Sequence, residues 1–138
     1  MGGDAPNRYE RSVPAEPEQL EHLHDLIDET RRGWPEVASG DFDMVETAVI
    51  ELAGNVVRHG RTSGVVEITL IVQVDPDAIR ATLVDAGEKL EIDLRDGQMP
   101  EEMSESGRGI AMARVVVDEL KFEHAGGLNT WEMVRFRR

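Results

Sequence analysis

The run Glu51-Leu52-Ala53-Gly54-Asn55-Val56-Val57-Arg58-His59-Gly60 is the stretch that most constrains this chain. In an α-helix beginning near Asp41, Glu51, Asn55 and His59 recur at i, i+4 and i+8 and form one slowly drifting polar ridge. Phe42, Val45, Val49, Leu52 and Val56 fall together on an adjacent stripe. A helix with these two faces docks its apolar stripe on a sheet and holds an acid, an amide and an imidazole beside a cavity. The same three residue types at helical spacing also make an ordinary solvated face, so the ridge takes its meaning from what lies downstream.

Downstream the period changes. Val66, Ile68, Leu70, Val72 and Val74 alternate with polar residues, the pattern of a half-buried strand, and Asp75-Pro76-Asp77 is the turn that follows. Ile79, Ala81 and Leu83 continue the alternation in a second strand ending at Val84-Asp85-Ala86-Gly87, which sets a carboxylate and a glycine at a strand's C-terminal end. From Glu88 to Ser106 the chain is polar and mixed, as expected of a segment lying over a pocket. Ser106-Gly107-Arg108-Gly109-Ile110 then opens a helix carrying Ile110, Ala113, Val116 and Val117. Glycines at a helix start let N–H groups approach an anion, although two glycines by themselves also make a simple turn. Leu120 to Glu123 and Thr130 to Phe136 read as a hairpin across Gly126-Gly127, with Trp131, Met133, Val134 and Phe136 directed to the core.

Upstream, residues 1–7 read as a flexible lead-in and Arg8 to Val13 as a short strand ending at Pro14. Pro17 suits the first turn of a helix reaching about Arg32, with Leu20, Leu23, Leu26 and Ile27 as its stripe. His22 and His24 point in different directions on that helix and make a poor metal pair. Asp41 is the expected N-cap of the motif helix. Residues 8–138 are read as one domain. With 28 acidic against 15 basic side chains the formal charge is −13, a field that disfavours nucleic acid and anionic membranes as partners. No run is apolar enough to span a bilayer and the first residues lack a signal core, so a cytoplasmic protein is expected. The absence of cysteine excludes disulfides, thiolate metal sites and a cysteine nucleophile.

Taken in order, Glu51-x-x-x-Asn55-x-x-x-His59-Gly60, Asp85-x-Gly87, Gly107-x-Gly109 and Asn129-Thr130 resemble the N box, two glycine boxes and last box of the Bergerat-fold (GHKL) ATP-binding module. Type II topoisomerases, sensor histidine kinases and the small bacterial anti-sigma factor serine kinases share that module. The resemblance covers nearly the whole chain, and Asn55-Val56-Val57-Arg58-His59-Gly60 looks most like the anti-sigma kinase branch. It implies a histidine-kinase-like α/β two-layer sandwich, with a mixed, mainly antiparallel sheet and helices on one face.

By resemblance, Asn55 holds Mg²⁺, a role its hard amide oxygen suits, and Glu51 is the general base near the γ-phosphate of ATP. Asp85 would accept from the exocyclic amine of adenine, and Gly87 would let the backbone approach the ring. Gly107 and Gly109 would bring amide donors to the phosphates, and Thr130 would support Asp85 through its hydroxyl. His59 is read as lining the phosphate pocket or as a hydrogen-bonded core-edge residue, and Arg58 and Arg108 as solvated arginines or phosphate and partner contacts. Lys89 stands where the fuller Asp-x-Gly-x-Gly pattern has a second glycine, a departure that bears on the conformation of the lid.

The activity implied is that of an anti-sigma factor with serine/threonine kinase activity. Such a protein phosphorylates an anti-sigma factor antagonist, binds a sigma factor in alternation and works as a homodimer. Two further readings stay open: the catalytic domain of a histidine kinase, and an ATP-binding partner-switch regulator that transfers no phosphate.

Overall fold

Both periodicities hold in three dimensions. The computed structural model describes residues 6–63, 67–87 and 104–138, excepting the side chains of 59–63 and 104–107. Strand β1 (Arg8–Pro14) passes through a 3-10 turn at Pro17–Gln19 into α1 (Leu20–Gly33) and then α2 (Ser39–Ser63). Strands β2 (Glu67–Val74) and β3 (Ala78–Asp85) follow, then α3 (Ser104–Val116), β4 (Glu119–Ala125) and β5 (Leu128–Phe136). The stretch from Glu88 to 103, with Lys89, lies outside the described residues, as does Val66.

The sheet runs β1-β2-β3-β5-β4, and each neighbouring pair is antiparallel. Strand β4 takes the far edge, and β5 folds back to insert beside β3. Gly126 and Gly127 make that reversal at φ 60° and 77°. Two successive positive φ angles match the twist of a tight hairpin and suit glycine, which has no Cβ to clash.

All three helices of the described residues pack on one face. Helix α2 lies across β3 and β5, α1 covers β1 and β2, and α3 packs chiefly on α2. The α2 stripe of Phe42, Val45, Val49 and Leu52 is fully buried against Leu70, Leu83, Trp131 and Met133 of the same core. Each such side chain contributes roughly 1.5–3 kcal/mol by leaving water, which is why the helix sits down on this stripe. Phe122 and Trp131 add a tilted ring pair with centroids 4.6 Å apart.

Two expectations are corrected here. Phe136, at the end of β5, is 46 % exposed, whereas Trp131 and Met133 on the helix-facing parity are buried, as is Val134. Asp41 is not an N-cap: α2 begins at Ser39, and Asp41 is buried in its first turn. Its Oδ1 accepts from Arg135 Nε at 3.0 Å and its Oδ2 from the Arg138 backbone N–H at 2.8 Å. An acid of the second helix thus anchors the last strand.

Candidate functional site

The polar ridge of α2 faces α3. Asn55 is buried and Glu51 half-buried, although both are polar residues on a long helix. The cause is Gly109: a side-chain carbon there would lie 3.1 Å from Glu51 Oε2 and 3.3 Å from Asn55 Oδ1. Ile110, Ala113 and Val117 recur on the buried face of α3 and its exit, holding that turn down. Arg58, one turn along α2, donates from its guanidinium to Asn55 Oδ1. To the roles open to Arg58, solvated arginine or phosphate or partner contact, the structure adds a bond to the ridge itself. Its i, i+3 spacing from Asn55 was the available signal.

The glycine pair acts differently from the expectation. Helix α3 starts at Ser104, so Gly107 and Gly109 lie within it rather than ahead of it. The Gly109 N–H falls beyond the leading donors that lack helical partners. Its close approach to the ridge is made by the missing side chain and not by the amide. The side chain of His59 lies outside the described residues.

A second cluster forms where β3 ends. Asp85, 4 % exposed, stands on the helix-facing parity of β3 and pairs in register with Asn129 of β5. The Gly87 N–H donates to Asp85 Oδ1 at 2.8 Å, and Asn129 Nδ2 donates to the same oxygen at 3.0 Å and to the Gly87 carbonyl at 3.1 Å. His124 Nδ1 lies 2.8 Å from Asn129 Oδ1. The support expected from the Thr130 hydroxyl thus comes from the Asn129 amide. Thr130 pairs with Val84, and strand alternation turns it to the opposite face of the sheet. The signal was legible in parity, since Asn129 lies two and four residues before the core residues Trp131 and Met133. His124 gave no such signal, because its partner depends on the β4–β5 register.

The donor set fits a nucleotide and its metal. A buried carboxylate beside a glycine can accept from a base amine. The Asn55 oxygen already accepts from a cationic group, and a hard oxygen of this kind suits a Mg²⁺ that keeps waters and phosphates as its other ligands. Among the described residues no three His, Asp or Glu side chains converge as a protein-only metal cage. No helix among the described residues is long and apolar enough to cross a membrane.

An open antiparallel sheet under one helix layer, with these motifs at a helix ridge and a strand end, defines the class of histidine kinase-like ATPases. The family model for the histidine kinase-like ATPase domain matches residues 13–135, and the chain belongs to that family, whose members bind ATP. Among solved structures it is similar to one titled "The crystal structure of the RsbU and RsbW domains of Rv1364c from Mycobacterium tuberculosis", at a TM-score of 0.66 and 18% identity. The match covers 95% of this chain and 32% of that one, so this chain spans about a third of its length. No curated protein matches the chain.

Proposed function

We propose that the chain is an anti-sigma factor with protein serine/threonine kinase activity, transferring the γ-phosphoryl of ATP to an anti-sigma factor antagonist. In alternation it binds a sigma factor, working as a homodimer in the cytoplasm, with residues 8–138 as the single ATP-binding unit. The observation that carries this reading is the pair Glu51 and Asn55, one helical turn apart and both against the α3 turn at Gly109. The fold likeness to a structure containing an RsbW domain supports it.

Bound Mg-ATP supplies the phosphoryl group and the charge neutralisation. Asn55 would hold the metal by its Oδ1, and Asp85 with Gly87 would hold the base. Glu51 takes the proton of an incoming serine hydroxyl at its carboxylate. Most of the rate then comes from positioning, as in phosphoryl transfer generally.

The test is incubation of the purified chain with radiolabelled ATP, magnesium and candidate antagonist proteins, followed by phosphosite mapping. Phosphoserine or phosphothreonine on an antagonist supports the kinase reading. Label on histidine supports the histidine-kinase alternative, and nucleotide binding without transfer supports a non-transferring regulator.

A further inference from the structure

The His124–Asn129–Asp85 chain of hydrogen bonds has a direction. A carboxamide oxygen only accepts, so His124 Nδ1 is the donor in its 2.8 Å contact with Asn129 Oδ1. That contact fixes which end of the amide faces which neighbour. The Nδ2 hydrogens are then turned to two acceptors, Asp85 Oδ1 at 3.0 Å and the Gly87 carbonyl at 3.1 Å. Both donors to Asp85 among the described residues, Asn129 Nδ2–H and the Gly87 N–H, fall on Oδ1. Oδ2 is the oxygen left to a ligand.

We infer that Asn129, oriented by His124, is a specificity-determining positioning residue that locks the Asp85 carboxylate with Oδ2 presented to a base bearing an exocyclic amine. The inference rests on the nucleotide-binding reading above. Asp85 and Asn129 are 4 % and 2 % exposed, so a misaligned carboxylate has no water to compensate it. A base with a carbonyl in place of the amine brings an acceptor against an acceptor, and a buried site built to receive a donor rejects such an analogue strongly. Two donors on Oδ1 also stop the carboxylate from rotating to relieve that clash.

The experiment compares ATP with ITP, whose base carries a carbonyl where adenine carries its amine, by titration calorimetry with magnesium on the full chain. The unaltered chain is expected to favour ATP by about 100-fold or more. Asn129→Leu, of the same branched shape without the polar atoms, is expected to weaken ATP about 30-fold and ITP less than about 3-fold, collapsing the preference. His124→Leu is expected to weaken ATP about 5-fold, and His124→Gln, whose amide can donate to the same oxygen, to stay within about 2-fold of the unaltered chain.

Equal weakening of both nucleotides, the mark of a purely structural role, overturns the inference, as does an unchanged preference in Asn129→Leu and His124→Leu. Should Asn129→Leu fail to fold, the His124 pair decides alone, because His124 is half-buried on an edge strand. An unaltered chain that binds no ATP refutes the nucleotide reading itself. One that binds ATP with a preference insensitive to these substitutions refutes only this inference.

Discussion

Gly109 of α3 lies so close to Asn55 of α2 that a side-chain carbon at position 109 would come within 3.3 Å of the amide oxygen and 3.4 Å of its nitrogen. Glu51 Oε2, at 3.1 Å, is the end of a flexible side chain and can move aside, but Asn55 is buried and bonded to Arg58. Gly109→Ala should therefore separate stability from activity. Alanine gains about 1 kcal/mol over glycine as a helix former, which offsets the crowding at Asn55, so the melting temperature should change little. Phosphoryl transfer should fall about 10-fold or more as Glu51 and Asn55 are displaced by a few tenths of an ångström. Thermal melts and steady-state kinetics on the same preparation check this, and a parallel loss of both would reduce Gly109 to a packing residue.

Glu51→Gln keeps the shape of the site and removes the basic oxygen. Binding of Mg-ATP should stay within about 3-fold, while transfer to the antagonist should drop about 10²–10⁴-fold, the usual share of a positioned general base. Transfer at the unaltered rate would remove Glu51 from the mechanism.

Arg58 and a metal ion would address the same oxygen of Asn55. Arg58→Ala should lower the magnesium concentration that half-saturates nucleotide binding by about 3-fold, since a competing charge-assisted hydrogen bond is gone. Asn55→Ala should weaken nucleotide binding in magnesium and leave the metal-free affinity nearly unchanged. Magnesium titrations at fixed nucleotide distinguish the two.

Asp41 and Arg135 join the start of α2 to the end of β5, with side chains 2 % and 16 % exposed. Arg135 Nη1 also donates to the Val116 carbonyl at 3.0 Å, which ties in the exit of α3. Truncation at Asp41→Ala strands a shielded guanidinium and the Arg138 N–H, and should destabilise by about 3 kcal/mol or more. Urea denaturation gives the value, and a change under about 1 kcal/mol would mean that water replaces the pair.

Acid should act through Asp118 and Asp75. The Arg138 guanidinium, helped by the Phe136 N–H, holds the Asp118 carboxyl below its usual range against a desolvation effect. The Gln73 amide, followed by Arg80, does the same for Asp75. A folded pKa below the unfolded one means stability that is fully present above the unfolded value of about 3.9 and lost as pH falls through the folded values. Melting temperature should thus be flat in these two groups above about pH 5 and fall below about pH 4. Asp75→Asn with Asp118→Asn should lower it at pH 7 and flatten the acid limb, and an unaltered acid limb would assign the loss to other carboxylates.

The order of elements was legible in the chain itself, because helical and strand periods are consequences of backbone geometry that every few residues repeat. The ridge of Glu51 and Asn55, its neighbouring apolar stripe and the carboxylate of Asp85 at a strand end all follow from spacing alone. Which side chain supports Asp85 did not. Asn129 and Thr130 are adjacent in the chain, and only the β3–β5 register, set by packing across 44 residues, puts Asn129 opposite Asp85. The same holds for Asp41, whose partners Arg135 and Arg138 lie 94 and 97 residues away. It holds too for Gly109, whose importance is the bulk it lacks beside another helix. Local pattern decides what each segment becomes, whereas partnership between distant polar groups exists only after burial removes water as the alternative.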